Sequence, residues 1–239
     1  MKPILLAGLL TFGFLSSVEA GYVDVSVGDH LKLYNGAGSG NGGEFDAVLQ
    51  QFNGTGYDPT SVTWSTFCLE VDEHFYYGQL LKVAGISDTA YSGGSNTNSG
   101  DPISYATAWL YTQMSTGNLV GLNAAGTGVS GSYNDNHIAN ATHLQKAIWY
   151  LEEESLGVYN KYVDLALAAG WTSIGDVRVL NLQRYSNGQL INAQDQLVLL
   201  NPPETLPPPV PEPSTFALLG IGSIALAGYG WRRKRQAAA

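Results

Sequence analysis

The chain has 239 residues, 29 of them Gly and 14 Tyr, a single Cys and a formal net charge of −9. Five of its 11 Lys and Arg and two of its 20 acids (Glu19, Glu212) lie at the termini; the remaining six cations and eighteen acids give residues 21–204 a net charge of −12. A surface this acidic argues against nucleic acid and anionic lipid as partners and leaves cations and neutral glycans. A lone Cys cannot form an intrachain disulfide. There is no Gly-x-Ser-x-Gly, P-loop or dinucleotide fingerprint, so the reading is a non-enzyme without a cofactor.

Residues 1–20 have the form of a secretory signal peptide: Lys2, an apolar run from Ile4 to Leu15, then Val18-Glu19-Ala20 with small residues at the −3 and −1 positions of a cleavage site after Ala20. The mature domain is read as residues 21–201. Its opening, Tyr22–Val27, alternates like a half-buried strand. A second strand over His30–Tyr34 ends at the Asn35-Gly36 turn signal, and a Gly-rich loop follows over Gly38–Gly43. Further strands are predicted over Glu44–Phe52 and Val62–Val71, the latter rich in β-branched and aromatic residues, with Tyr76–Val83 as its antiparallel neighbour. Ser92–Gly100 reads as a surface loop.

The period then changes. Ser104–Ser115 suits a short helix with Ser104 as N-cap, and the Gly/Asn/Ser-rich stretch Leu119–Asn136 reads as loop. Asn140–Ser155 is the clearest helix, with Leu144, Ala147, Ile148 and Leu151 on one face. A third helix over Val158–Ala169 closes at Gly170, and strands return over Val177–Leu182 and Leu197–Leu200. The expected class is α+β: a β-rich domain, sandwich or barrel-like, with two or three inserted helices, plus the signal peptide and one C-terminal transmembrane helix.

Three readings of Cys68 stay open: a buried inert thiol, a bond between molecules, or some other covalent bond within the chain. Its context bears on the third. Phe67-Cys68-Leu69 falls in a predicted strand, and Leu144-Gln145-Lys146-Ala147-Ile148-Trp149 falls in the clearest helix. This aromatic-Cys strand followed by an apolar-Gln-x-x-apolar-Trp helix resembles the bacterial thioester domain of surface adhesins, whose helical motif commonly reads TQxAIW; here Leu144 replaces the Thr. The resemblance covers Gly21 to Leu200. It implies a Cys68–Gln145 thioester pair with Phe67, Ile148 and Trp149 as packing, and a partner that is a surface amine. Two plainer readings stand beside it: Thr142-x-x-Gln145 is a capping-box pattern, and Trp149 can be core. Gln113, also on a helix, is a second acyl donor by residue type.

Weaker signals are the acidic group Glu70, Asp72, Glu73 next to His74, whose carboxylates suit Ca²⁺ by type but lack an EF-hand spacing and read as a solvated strand end that also disfavours a Cys68 thiolate, and Glu152-Glu153-Glu154, read as a solvated helix end. His30, His74, His137 and His143 lack zinc-ligand spacing, so no metal is expected.

Residues 202–210 form a Pro-rich spacer. Residues 211–235 then carry Pro211-Glu212-Pro213, an uncharged apolar stretch from Ser214 to Trp231, and the cluster Arg232, Arg233, Lys234, Arg235; residues 236–239 are a short tail. Eighteen apolar residues are about the minimum for a span, and the cluster holds that end in the cytoplasm. The arrangement resembles the PEP-CTERM sorting signal of Gram-negative bacteria. It implies processing by exosortase, a membrane-anchored precursor, and delivery to the cell surface or extracellular matrix. Two functions follow as expectations: adhesion or matrix attachment through a thioester-like module, or a non-covalent part of an exopolysaccharide biofilm matrix that contacts glycans through Tyr and Trp.

Overall fold

The computed structural model describes residues 21–39, 42–91 and 100–201. The signal peptide, most of the Ser92–Gly100 loop, the Pro-rich spacer and the sorting signal with its transmembrane stretch lie outside the described residues. The chain divides into two units, Met1–Asn201 and Pro202–Ala239. Among the described residues no helix is long and apolar enough to cross a membrane.

Among its described residues the first unit is mostly β-sheet with three α-helices, an α+β domain. Six strands form one antiparallel sheet: β1 (His30–Gly38), β2 (Gly43–Phe52), β3 (Tyr57–Thr66), β4 (Leu80–Ser87), β9 (Val177–Ser186) and β10 (Gln189–Leu199), in the order β10-β9-β4-β1-β2-β3. Two small ribbons join β5 (Thr89–Ala90) to β6 (Asp101–Pro102) and β7 (Val120–Leu122) to β8 (Val129–Ser132). The helices are α1 (Tyr105–Ser115), α2 (His137–Leu151) and α3 (Lys161–Ala169).

Local chemistry sets most of these boundaries. The Ser104 side chain caps α1 by accepting the Thr107 N–H, and Asn160 caps α3 by accepting the Tyr162 N–H. Gly170 ends α3 in the left-handed conformation, φ 62°. A 3₁₀ turn over Tyr133–Asn136, held by a Ser132/Asp135 capping box, leads into α2. The β9–β10 hairpin turns on Asn187 (φ 51°) and Gly188 (φ 80°), both positive as the strand twist prefers.

The sheet curls until its edges meet. Past β3 the chain runs on beside β10: Leu197 donates its N–H to Phe67, Leu69 donates to Asp195, and Cys68 bridges Gln196. Inside the curl lies one apolar cluster, with Leu31, Leu33, Leu81, Val83, Leu182 and Val198 among its members. The second lies between the outer face of the sheet and the helices, and contains Phe67, Leu110, Leu144, Ile148, Val179 and Leu197. In β10, Gln194 and Asp195 together oppose Asn181 of β9, a β-bulge that shifts which residues face each cluster.

Several expectations are corrected. Tyr22–Val27 forms no strand; Val23 makes one bridge to Leu200, although Val23 and Val25 are buried as the alternation required. The Asn35-Gly36 turn is absent, because β1 continues to Gly38 through an irregular pairing with β2. The strand read over Val62–Val71 ends at Thr66, so Cys68 sits beyond it. The strand after it, β4, pairs with β1 and β9 rather than with β3. Leu119–Asn136 holds β7, β8 and the 3₁₀ turn instead of loop.

Candidate functional site

Cys68 owes its position to strand alternation. Phe67 O and Leu69 N point at β10, so the N–H and C=O of Cys68 point the other way. Gln145 on α2 meets both. Its Oε1 accepts the Cys68 N–H at 3.2 Å, and its Nε2 donates to the Cys68 carbonyl at 2.8 Å. The side-chain amide thereby stands where a neighbouring strand would stand. Cys68 Sγ lies 3.4 Å from the same Oε1. Since a C=O bond is about 1.23 Å, the carboxamide carbon is within about 4.6 Å of the sulfur. Cys68 is 2 % exposed and Gln145 0 %.

The pair opens onto a cavity of about 500 Å³ that Trp149, His74, Tyr77 and Gln194 also line. Trp149 stands one helical turn beyond Gln145 on the buried face of α2. Phe67 and Ile148, both fully buried, pack in the outer apolar cluster. Ser39 and Gly42, after β1 and before β2, approach the helix here. Ser39 donates its N–H to Thr142 Oγ1 at 2.9 Å, and Gly42 lies so close that a Cβ on it would stand 3.3 Å from the Trp149 ring and 3.4 Å from Gln145 Cγ. Gln113 lies on α1 and does not line this cavity. The capping-box alternative does not form: Thr142 is inside α2, where its hydroxyl donates to the Ile138 carbonyl, and Gln145 is turned to Cys68.

Burial pushes the Cys68 thiol well above its ordinary range, and the Glu70 carboxylate adds to the rise. The Trp149 indole N–H and the backbone N–H of Cys68 oppose it, and Glu154 adds the smallest contribution. A standing thiolate is therefore scarce, and any attack by this sulfur moves its proton in the same event.

The acidic residues sort differently from the sequence expectation. Glu70, Glu73 and Asp195 are the grouping whose ligand-type atoms come within 4.8 Å of one another among the described residues. Glu70 Oε2 accepts the Asp195 N–H, and the Asp195 carboxylate accepts from the Tyr91 N–H, Asn181 Nδ2 and the Leu182 N–H. Glu70 and Asp195 tie the β10 bulge to the segment after Cys68, to β9 and to Tyr91. Burial raises Asp195 to about 6. Glu152, expected to be solvated, is buried: it accepts from the Ser104 hydroxyl at 2.9 Å and from the Ser104 N–H at 3.2 Å. Burial raises its carboxyl to about 7 against those hydrogen bonds.

A second polar site lies at the other end of α2. Buried Glu44 accepts from the Tyr133 hydroxyl at 3.0 Å, and its Oε2 stands 2.7 Å from His137 Nε2. The three line a cleft of about 340 Å³ with Trp64 and Met114. Burial and the Glu44 charge hold the Tyr133 phenol above its ordinary range, so it remains a donor. Sequence reading did not single out Glu44, and 93 residues separate it from His137; no local pattern marks such a pair.

Residues 209–235 match the family described as the PEP-CTERM protein-sorting motif. That motif is the recognition signal of exosortase, so the chain carries the mark of an exported protein, anchored in the membrane as a precursor and then delivered to the surface. No curated protein and no solved structure matches the chain.

Proposed function

We propose that the domain carried to the surface by this sorting signal is an attachment module whose Cys68 and Gln145 form an internal thioester, which an amine on a partner surface opens to leave a covalent link. The observation that carries this reading is the sulfur 3.4 Å from the Gln145 carbonyl oxygen, with the Cys68 N–H already donating to that oxygen.

The sulfur attacks Gln145 Cδ. Negative charge grows on Oε1, where the Cys68 N–H acts as a preorganised oxyanion donor. The S–Cδ bond forms, the Cδ–Nε2 bond breaks, and the thiol proton leaves with Nε2 as ammonia. In the second step a primary amine attacks Cδ, the Cδ–S bond breaks, and the proton lost by the amine returns to the sulfur. An amide then joins Gln145 to the partner. The fold contributes mainly by holding the two side chains close to reacting distance. Burial of both groups keeps water from the reactive bond.

Intact-mass measurement tests this on the full chain, with Cys68→Ala as the reference for any processing. The wild-type protein should fall about 17 Da below the mass its composition requires, one ammonia having been lost in acylation. Methylamine should add to Gln145 and release one titratable thiol. Full mass together with complete alkylation of Cys68 after unfolding rejects the thioester.

One observation favours a second, non-covalent reading. Tyr34, Tyr76, Tyr77 and Tyr185 are all exposed, and the segment around Tyr76 joins them. Tyr77 donates to Asn35, Gln79 donates to the Tyr185 carbonyl, and Arg184 stacks over Tyr76 at 5.8 Å. Exposed rings with polar neighbours suit sugar faces. Loss of exopolysaccharide binding in Tyr76→Ala, in a chain of full mass, would favour this role.

A further inference from the structure

We infer that the Trp149 indole N–H is the hydrogen-bond donor to the Cys68 sulfur when the thioester opens, holding the departing sulfur while it is anionic. The inference rests on the thioester reading above and names the group that controls its rate.

Three observations lead to it. Trp149 is 5 % exposed, and its Nε1 is buried with no hydrogen-bond partner. A buried donor left unpaired is costly, so the resting fold tolerates a deficit here. The ring lines the same cavity as Cys68 and Gln145. The other polar side chains of that cavity are already engaged or lie outward. Gln194 Nε2 donates to the Glu70 carbonyl, Tyr77 to Asn35, and Ser39 Oγ meets Thr142; His74 is exposed. The Cys68 N–H is committed to the Gln145 oxygen. Trp149 is the buried side-chain donor still unspent.

The chemistry supplies what the resting state lacks. A thiol is a weak acceptor, and a thioester sulfur is weaker still. As the Cδ–S bond breaks, the electron pair passes to sulfur, in surroundings where burial and Glu70 both oppose the anion. Trp149 is the one side chain shifting the thiol towards ionisation. An interaction that gains strength only as charge develops lowers the barrier instead of stabilising the ground state.

The test compares three forms of the full chain, each loaded as the thioester and opened with methylamine, with thiol release followed in time. Trp149→Phe keeps an aromatic ring at this position and removes the N–H. Its opening should slow at least about tenfold, the loss of one hydrogen bond to a charged group. Its urea midpoint combines a gain from removing an unpaired buried donor with a loss from the smaller ring, so it is measured beside the opening rate. Trp64→Phe is the control. Trp64 Nε1 is likewise buried and unpartnered, but it lines the other cleft, so the opening rate should equal wild type. Should Trp149→Phe fold poorly, benzothienylalanine at position 149, with sulfur in place of N–H and nearly the same shape, carries the comparison. Opening at the wild-type rate by either form overturns the inference while leaving the thioester standing. A wild-type chain that neither loses ammonia nor takes up methylamine overturns both. Slowed opening of the benzothienylalanine form with a matching fall in its stability assigns Trp149 a packing role only and also overturns it.

Discussion

The two ends of α2 carry two polar sites built on opposite plans. At the N-terminal end, Glu44, Tyr133 and His137 face one another, and the carboxylate absorbs both donors. Six residues before the C-terminal end, the Gln145 amide is spent on the main chain of Cys68, while a sulfur and an indole N–H stand beside it without partners of matching strength. The contrast separates a carboxylate that already accepts from its neighbours in the resting fold from a thiol whose one partner is a weak contact with an amide oxygen. Buried polar groups in native folds are nearly always paired. Trp149 Nε1 departs from that rule beside a thiol and an amide, and Trp64 Nε1 departs from it in the other cleft, where no such pair stands.

The comparison can be broken at several points. Gln145→Ala should have the largest effect. It orphans the buried N–H and C=O of Cys68, with an expected loss of roughly 3–5 kcal/mol in urea unfolding, and it abolishes the ammonia loss and methylamine uptake. Retention of wild-type stability would show that the clamp on Cys68 is dispensable.

Next comes the boundary of the helix. The Glu152 carboxyl is raised from 4.5 to about 7. A raised acid favours the folded state most below its unfolded value, and that contribution is lost as pH climbs through 7. The wild-type chain should lose up to about 3 kcal/mol of stability between pH 4.5 and pH 8 from this group, at about 1.4 kcal/mol per pKa unit. Glu152→Gln should flatten that part of the profile. Asp195, raised to about 6, acts in the same direction and remains in the variant. An unchanged pH profile in Glu152→Gln would refute the assignment.

Glu44→Gln tests the complete network. Loss of a charged acceptor for two donors should cost about 1–2 kcal/mol in thermal or urea unfolding, with ammonia loss unaffected. If the mass shift disappears as well, the two ends of α2 are coupled. Cys68→Ala should have the smallest effect, about 1 kcal/mol for a small buried truncation, because the main-chain clamp to Gln145 survives. It removes the chemistry while leaving the support, and so separates the two roles of Gln145.

Local signals were readable where one residue suffices to set the backbone. Ser104 and Gly170 cap helices through atoms within three residues of themselves, whereas the Asn160 cap starts α3 three residues later than the helix read from Val158. The dipeptide Asn-Gly shows the limit. At Asn187-Gly188 both φ values are positive and the chain turns. At Asn35-Gly36 the strand continues, and Gly36 serves instead to let β2 pass: a Cβ there would stand 2.7 Å from the Glu44 carbonyl oxygen. The same two letters have two outcomes because the second depends on a strand that follows later in the chain. The β7 and β8 segments were invisible for a related reason. Val120–Leu122 and Val129–Ser132 are too short and too rich in Gly and Ser to show a period.

The sequence by itself determined the address, because exosortase recognition reads a linear tail from Pro211 to Arg235. It also determined the class of the domain and singled out one sulfur and one amide worth following. Only the tertiary structure decided that β4 lies between β1 and β9, that Glu152 is buried on Ser104, and that Cys68 faces Gln145 across 77 positions of chain. Those facts depend on the sheet curling until the segment after β3 meets the bulge of β10. Such closure is fixed by the packing of two apolar clusters over the whole domain, which no window of neighbouring residues contains.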